Sequence, residues 1–210
     1  MFALPRIYLA SKSPRRRDLL KQIGADFTVL LLRESNPRGP DVNESPHIGE
    51  APPDYVRRIA KMKADIGWQR VLQRQLPKRP VLAADTAVCL GARLFVKPVD
   101  KNDARDMLHA LSASEHLVLT CVTVRLESRE YTALSESTVR FRELSEAEID
   151  AYIATGEPMD KAGAYAIQGL AAAFIPEILG SYTGVMGLPL YETVSLLGKF
   201  VPVPQATPPR

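Results

Sequence analysis

Several things are scarce in this chain of 210 residues. There are only two cysteines, Cys89 and Cys121, and both lie in apolar runs. No CxxC and no Cys/His ligand spacing exists, so a structural zinc site is not expected. Two reduced core thiols in a cytosolic protein are expected instead. No run of about 18 apolar residues is present, so no membrane span is expected. The opening MFALPRIYLA lacks the apolar core of a signal peptide. Charge of one sign is not in large excess either. A net charge of +3 is too weak to argue for nucleic acid, and the one basic cluster has no aromatic platform beside it. It does suit a small anionic substrate. A GxxxxGK[ST] loop is absent, which disfavours a P-loop enzyme, and no internal repeat is seen.

What the chain does have is a normal apolar share, 46%, enough for a buried core. The length predicts one large domain or two lobes. A proline-rich tail, Pro202 to Arg210, is predicted to be disordered.

The stretch Leu9-Ala10-Ser11-Lys12-Ser13-Pro14-Arg15-Arg16-Arg17-Asp18-Leu19-Leu20 organises the rest. It reads as strand, tight loop and helix. Ser13 is a good N-cap, and Pro14 suits the first helical position, where its missing N–H costs nothing. Leu19, Leu20 and Ile23 mark the buried face, and Gly24 ends the helix. Two serines and two or three arginines thus gather at a helix N-terminus, where amides and the helix dipole favour an anion. Arginine adds bidentate donors for phosphate. This is either a phosphate site or a solvated basic first turn.

Residues 25–51 hold Pro37, Gly39, Pro40, Pro46 and Gly49, which predicts a long loop. Glu44 and Glu50 close it. A helix follows from about Pro53 towards Leu76, with Val56, Ile59, Ala60 and Ile66 on its apolar face. Lys63 shares that face, four residues after Ile59. Periodicity alone favours a snorkelling lysine over one that points into a site. Val81 to Leu90 is an apolar strand interrupted by Asp85-Thr86. An acid there is expensive to bury without a partner, so Asp85 is a capping or bulge residue, a metal ligand or a base. Gly91-Ala92 makes a hairpin turn, and Lys97-Pro98 ends the returning strand.

A helix over Asp103 to Leu111 and strands over Leu117 to Leu126 and Tyr131 to Phe141 follow. His109 and His116 have no ligand partner at useful spacing and read as surface or capping residues. Ser145 and Glu148 form a capping box for a helix ending at Gly156. The run from Asp160 to Gly169 is small and glycine-rich around Tyr165 and Gln168, which permits close approach of backbone or ligand. Phe174-Ile175 reads as a strand, Gly180 to Gly187 as a loop, and Pro189 as the start of a last helix.

Phosphate chemistry needs cations on the oxygens, a divalent metal and a base for water. Arg15, Arg16, Lys63 and Lys97 are the cations. Glu44 and Asp85 are the candidate metal carboxylates, a hard-oxygen set suited to Mg2+ or Mn2+.

Several ordered motifs resemble one family. They are LASKSPRRRDLL, DVNES before EAPPDYVRRIAKMKA, LAADTAV, LFVKPVD, GEPMDKAGAYAIQG and GLPLYET. Together they run from about Ile7 to Phe200, and the chain resembles the Maf nucleoside triphosphate pyrophosphatases. The resemblance implies a single domain over residues 1–201 with a Maf/ITPase-like elongated α/β fold, a twisted mixed sheet, helices and a cleft between two lobes. It implies cleavage of a nucleoside triphosphate to the monophosphate and pyrophosphate. By motif, Asp85 becomes the proton acceptor near the metal, and Glu44 helps hold the metal. Arg16, Lys63 and Lys97 bind the triphosphate with Ser11 and the first-helix amides. Arg15, Thr86 and Gln168 fall where the family sets substrate choice.

The GAYAIQG form, with Gln168, looks like the branch that takes dTTP and UTP. A sister branch takes 7-methyl-GTP. A glutamine amide offers the donor and acceptor that a pyrimidine imide edge needs. The segment from Leu30 to Val42 is longer than is usual in the family. It contains Glu34, which competes with Glu44 as the matched acid. Glu44 is preferred because DVNES precedes the helix at the right distance. The family's association with septum formation and cell-division arrest keeps a second class open, a nucleotide-binding regulator with little catalysis. The two thiols point to a cytoplasmic protein, and the resemblance implies a homodimer, since the family often dimerises.

Overall fold

The computed structural model describes residues 3–33 and 40–201. Glu34 and the tail from Pro202 lie outside the described residues. Seven strands form one mixed sheet among them: β1 (Ile7–Leu9), β2 (Phe27–Val29), β3 (Val81–Leu90), β4 (Arg93–Phe95), β5 (Glu115–Leu126), β6 (Arg129–Arg140) and β7 (Glu177–Leu179). The spatial order is β2-β1-β3-β5-β6-β7, with β4 also on β3. β1 runs parallel to β2 and β3, and the remaining pairs are antiparallel. Six α-helices accompany the sheet: α1 (Pro14–Gln22), α2 (Pro52–Gln73), α3 (Lys101–Leu111), α4 (Glu146–Ala154), α5 (Tyr182–Met186) and α6 (Leu190–Gly198). Three 3-10 turns, Glu157–Asp160, Ala162–Ala164 and Leu170–Phe174, lie between α4 and β7. None of the helices is long and apolar enough to cross a membrane, among the described residues.

Two features of β3 place the site. One edge pairs with β5 along Val81 to Cys89. The other pairs with β1 at Val81 and Leu82, then with β4 from Val88 to Leu90. Between these, the edge beside Asp85 meets no strand among the described residues, and the sheet is split there. The chain also leaves β1 for β2 on one side and returns for β3 on the other. The carboxyl ends of β1 and β3 therefore flank a topological switch point, the usual crevice for a ligand in an open α/β sheet.

Alternation then sorts the side chains of β3. Ala83, Ala87 and Cys89 pack towards α2, with Val56, Ile59, Ala60 and Trp68 in the same layer. Leu82, Ala84 and Val88 pack on the opposite face. Neighbours Asp85 and Thr86 are thus sent to opposite faces.

Local signals explain most elements. Ser13 accepts the Arg16 amide, and Pro14 opens α1. Ser145 and Glu148 form the reciprocal capping box of α4. Ala104, Met107, Leu108 and Leu111 are the buried stripe of α3. Cys89 and Cys121 are both free and buried.

Four expectations need correction. Part of the long loop is β2, whose three residues are too few to show alternation; its parallel pairing with β1 defines it. Phe174 closes a 3-10 turn, and the nearby strand is Glu177–Leu179, paired with β6. The glycine-rich stretch after it contains α5, capped by Ser181 before and by Gly187 after, the latter at φ +113°. His116 is neither surface nor cap. β5 begins at Glu115, two residues earlier than the apolar run suggested, and alternation turns His116 inward. It packs on Phe141 and Tyr165, with Nε2 2.9 Å from the Tyr165 hydroxyl and, among the described residues, no partner for Nδ1. His109, by contrast, meets Glu146 at the surface, 3.3 Å away.

Burial pushes the His116 pKa down to about 4 from the ordinary 6.5. The unfolded chain therefore binds the extra proton first as pH falls. Stability from a neutral His116 is complete above pH 6.5 and declines towards pH 4. By pH 5 the expected loss is about 2 kcal/mol. Melting temperatures of wild type and His116→Gln between pH 7 and 5 check this, with a flatter profile expected for the variant. Equal slopes would remove His116 as the cause.

Candidate active site

A cavity of about 770 Å³ opens at the split in the sheet. Its wall includes Ser11, Arg15, Arg16, Glu44, Lys63, Asp85, Thr86, Lys97 and Gln168. The residues singled out in the sequence are thus brought to one place by α1, α2, β3, the end of β4, and the loops before α2 and after α4.

The centre of the cavity is a charge cluster. Asp85 is only 6% exposed. Lys63 reaches it from α2, Nζ to Oδ1 2.8 Å, and the same Nζ lies 2.9 Å from Glu44 Oε1. One ammonium therefore ties together two carboxylates that are 41 positions apart in the chain. Contrary to the snorkelling that periodicity favours, Lys63 points into the site, because α2 lies across the sheet face to which Asp85 is turned. Burial pushes the Asp85 pKa up, while Lys63 and Arg16 pull it back towards the ionised form.

Thr86 leads to the second cluster, on the other face. Its hydroxyl is 3.0 Å from that of Thr120, which donates to the Gly184 carbonyl at 2.7 Å. Arg16 binds the same assembly. Its Nε donates to the Gly187 carbonyl at 2.7 Å, Nη2 to Thr86 and Nη1 to Ser11, both at 3.3 Å. The positive φ of Gly187 turns that carbonyl onto the guanidinium. Arg16 is thus a cation locked in place by three elements, which a phosphate site requires. Burial lowers its pKa while Asp85 raises it, and an arginine stays charged in either case.

The remaining wall is mixed. Arg15 is one-quarter exposed, with Asp160 4.0 Å away, and Asp160 also pairs with Lys161. Lys97 is exposed and lines the cavity where β4 ends. Gln168 is exposed on the segment that follows Tyr165 and Ala166. Val88, Val118, Tyr165 and Val185 supply an apolar stretch nearby. Gly163 makes this wall possible. Its φ of +68° suits glycine, and a Cβ there would sit 2.8 Å from Val88.

Reading the sequence did not find Tyr55, Asp160 and Lys161 as wall residues. Tyr55 carries no distinguishing signal in the first turn of α2. Asp160 and Lys161 stood in the small-residue run, whose charged start was the available signal. Glu50, noted beside Glu44, turns away to Arg58.

Glu44 and Asp85 can hold a divalent cation. Among the described residues no third His, Cys, Asp or Glu joins them. Two hard carboxylates with open positions for phosphate oxygens and water match the usual Mg2+ arrangement. That the two already share one cation shows that their oxygens converge.

Converging cations around paired carboxylates, at the switch point of an α/β sheet, define a phosphate-handling protein of the α/β class. The chain belongs to the Maf family: the Maf-like protein model matches residues 6–200. It is similar to the dTTP/UTP pyrophosphatase of Nitrosomonas europaea, 58% identical over 191 residues, 91% of this chain and 92% of the relative. It is also similar to the enzyme of the same name from Nitrosospira multiformis, 57% identical over 196 residues, covering 93% and 95% of the two chains. Among solved structures, the Ham1 protein of Staphylococcus aureus aligns with a TM-score of 0.47 and 11% identity, over 93% of this chain and 100% of that one.

Proposed function

We propose that this chain hydrolyses dTTP and UTP to the monophosphate and pyrophosphate, as the names of its relatives suggest. The observation that carries the reading is the Lys63 ammonium held between Glu44 and Asp85 in a cavity rimmed by Arg15, Arg16 and Lys97. Mere binding of an anion needs the cations but not a buried Asp85 beside a second acid, both of which repel phosphate.

In this reading the Asp85 carboxylate takes a proton from the attacking water. The water oxygen bonds to the α-phosphorus, the bond from that phosphorus to the bridging oxygen breaks, and pyrophosphate leaves. Arg16 and Lys97 hold phosphate oxygens, and Lys63 moves its charge between the acids and the substrate. Ser11 and the first turn of α1 bound the same pocket. Glu44 and Asp85 would hold Mg2+ or Mn2+, which when bound would supply further charge stabilisation at the phosphate oxygens. Arg15, Thr86 and Gln168 set substrate choice. The buried, unpaired thiols suit the reducing cytoplasm.

Pyrophosphate release from a panel of triphosphates tests the reading, with dTTP and UTP expected to turn over fastest. Fastest release from 7-methyl-GTP would overturn the substrate choice, and no release from any would favour a binding-only regulator. Gln168→Glu should disturb the ranking. It removes the amide donor and adds a charge beside the base, a change worth about tenfold or more between pyrimidine and purine triphosphates. If all substrates slow by one factor, Gln168 does not read the base.

A further inference from the structure

Glu44 lies on a stretch, residues 43–47, that belongs to no helix or strand. Its carboxylate nevertheless meets Lys63 at 2.9 Å, so something must hold the backbone beneath it. Two residues of α2 do so. The Tyr55 hydroxyl donates to the Glu44 carbonyl at 2.9 Å. Arg58 Nη2 donates to the next carbonyl, that of Ser45, at 3.1 Å. Arg58 is itself fixed. Its Nε and Nη2 grip the two oxygens of Glu50 at 2.6 and 2.7 Å. Glu50 also accepts the His47 amide at 3.0 Å, so the turn closes on itself. The Arg58 guanidinium stands over the Tyr55 ring, 5.6 Å from its centre.

The upstream side is pinned as well. Asp41 accepts from Arg70 and from the Arg33 side chain, each at 2.7 Å, and Val42 is buried. The helix that presents Lys63 therefore also carries the clasp on Glu44. Tyr55, Arg58 and Lys63 share one rigid rod, so α2 sets the distance between the lysine and the acid.

We propose that Tyr55 and Arg58, with Arg58 anchored by Glu50, are positioning residues that hold Glu44 where it and Asp85 receive a divalent cation. This rests on the metal role given to Glu44 above. The clasp touches neither acid's carboxylate, and it acts only through the backbone of the loop. The Arg58 guanidinium keeps the Glu50 carboxyl down at about 2, so the clasp stays ionised at any working pH. Residues that orient a metal ligand typically change metal affinity by about 10–100-fold when lost.

The test is Mn2+ binding, read from the electron paramagnetic resonance of free Mn2+, with a non-hydrolysable α,β-imido analogue of dUTP present. Arg58→Gln should raise the Mn2+ dissociation constant about tenfold. Turnover of dTTP should recover as Mg2+ is raised, because the ligand is misplaced and not removed. Tyr55→Phe, which keeps the buried ring, should show the same pattern more weakly. Arg58→Lys should fall between wild type and Arg58→Gln. In the double variant Glu44→Gln/Arg58→Gln, the Arg58 change should add little to the loss from Glu44→Gln. Unchanged Mn2+ affinity in both Arg58→Gln and Tyr55→Phe, with Glu44→Gln impaired, would overturn the positioning role alone. Additive losses in the double variant would do the same. If Glu44→Gln binds Mn2+ as wild type does, the metal role of Glu44 fails first and the clasp's role with it.

Discussion

Asp85→Asn should lower turnover of dTTP by about 10²–10⁴, the range for loss of a general base, while leaving the fold intact. The substitution keeps the shape of the side chain and removes its charge and basicity. Asp85 is nearly buried in the middle of β3, its backbone paired with Cys121 of β5. An asparagine fits that place without disturbing the ladder. Lys63 keeps a partner, because Glu44 Oε1 is 2.9 Å from its Nζ. Burial disfavours the carboxylate at this position, so removing the charge should hold or raise the melting temperature. Triphosphate should still bind, with one negative charge fewer near its phosphates. Pyrophosphate release at saturating Mg2+, followed together with melting temperature, separates the two effects. If Asp85→Asn keeps more than about a tenth of wild-type turnover, short of the loss expected for a base, Asp85 is a structural acid and the proposed mechanism fails.

Much of this arrangement was legible before any coordinates, and the reason is local. The Ser13–Pro14 start of α1 and the Ser145–Glu148 box of α4 are decided by a few adjacent residues. An acid inside the apolar run of β3 is conspicuous because burying it without a partner is costly. What could not be read depends on contacts across the chain. Periodicity favours a snorkelling Lys63 wrongly, because it says which residues share a face, not what that face meets. The gap on the β3 edge between β1 and β4, beside Asp85, follows from strand order, which no single segment encodes. Nor do neighbouring Asp85 and Thr86 announce that one serves the α2 face and the other the Arg16 cluster. His116 was misjudged by two residues of strand boundary. The short β2 and the five-residue α5 carry too little pattern for either period to appear.

Lys63→Met should produce a different signature, a loss of stability that divalent metal repairs. The methionine keeps much of the apolar stem and removes the ammonium shared by Asp85 and Glu44. Breaking a buried ion pair from one side costs about 3–5 kcal/mol. Here the low end, about 3 kcal/mol, is expected, because Glu44 is partly exposed and Arg16 still offsets the Asp85 charge. For a chain of this size that is a fall of roughly 6–12 °C in melting temperature, measured in EDTA. Millimolar Mg2+ should restore part of it, since the same oxygens then share a different cation. Adding Asp85→Asn should also restore it, because the stranded buried charge is gone. That rescue separates a charge effect from lost packing, which neither metal nor Asp85→Asn would repair. Catalysis should not recover with Mg2+. In the proposed mechanism Lys63 also gives a charge-assisted contact to phosphate, and its loss should cost roughly 1.5–3 kcal/mol, or about ten- to a hundredfold in catalytic efficiency. A Lys63→Met protein as stable as wild type in EDTA, or one that Asp85→Asn does not rescue, would mean that Lys63 is not the cation on which the two acids depend.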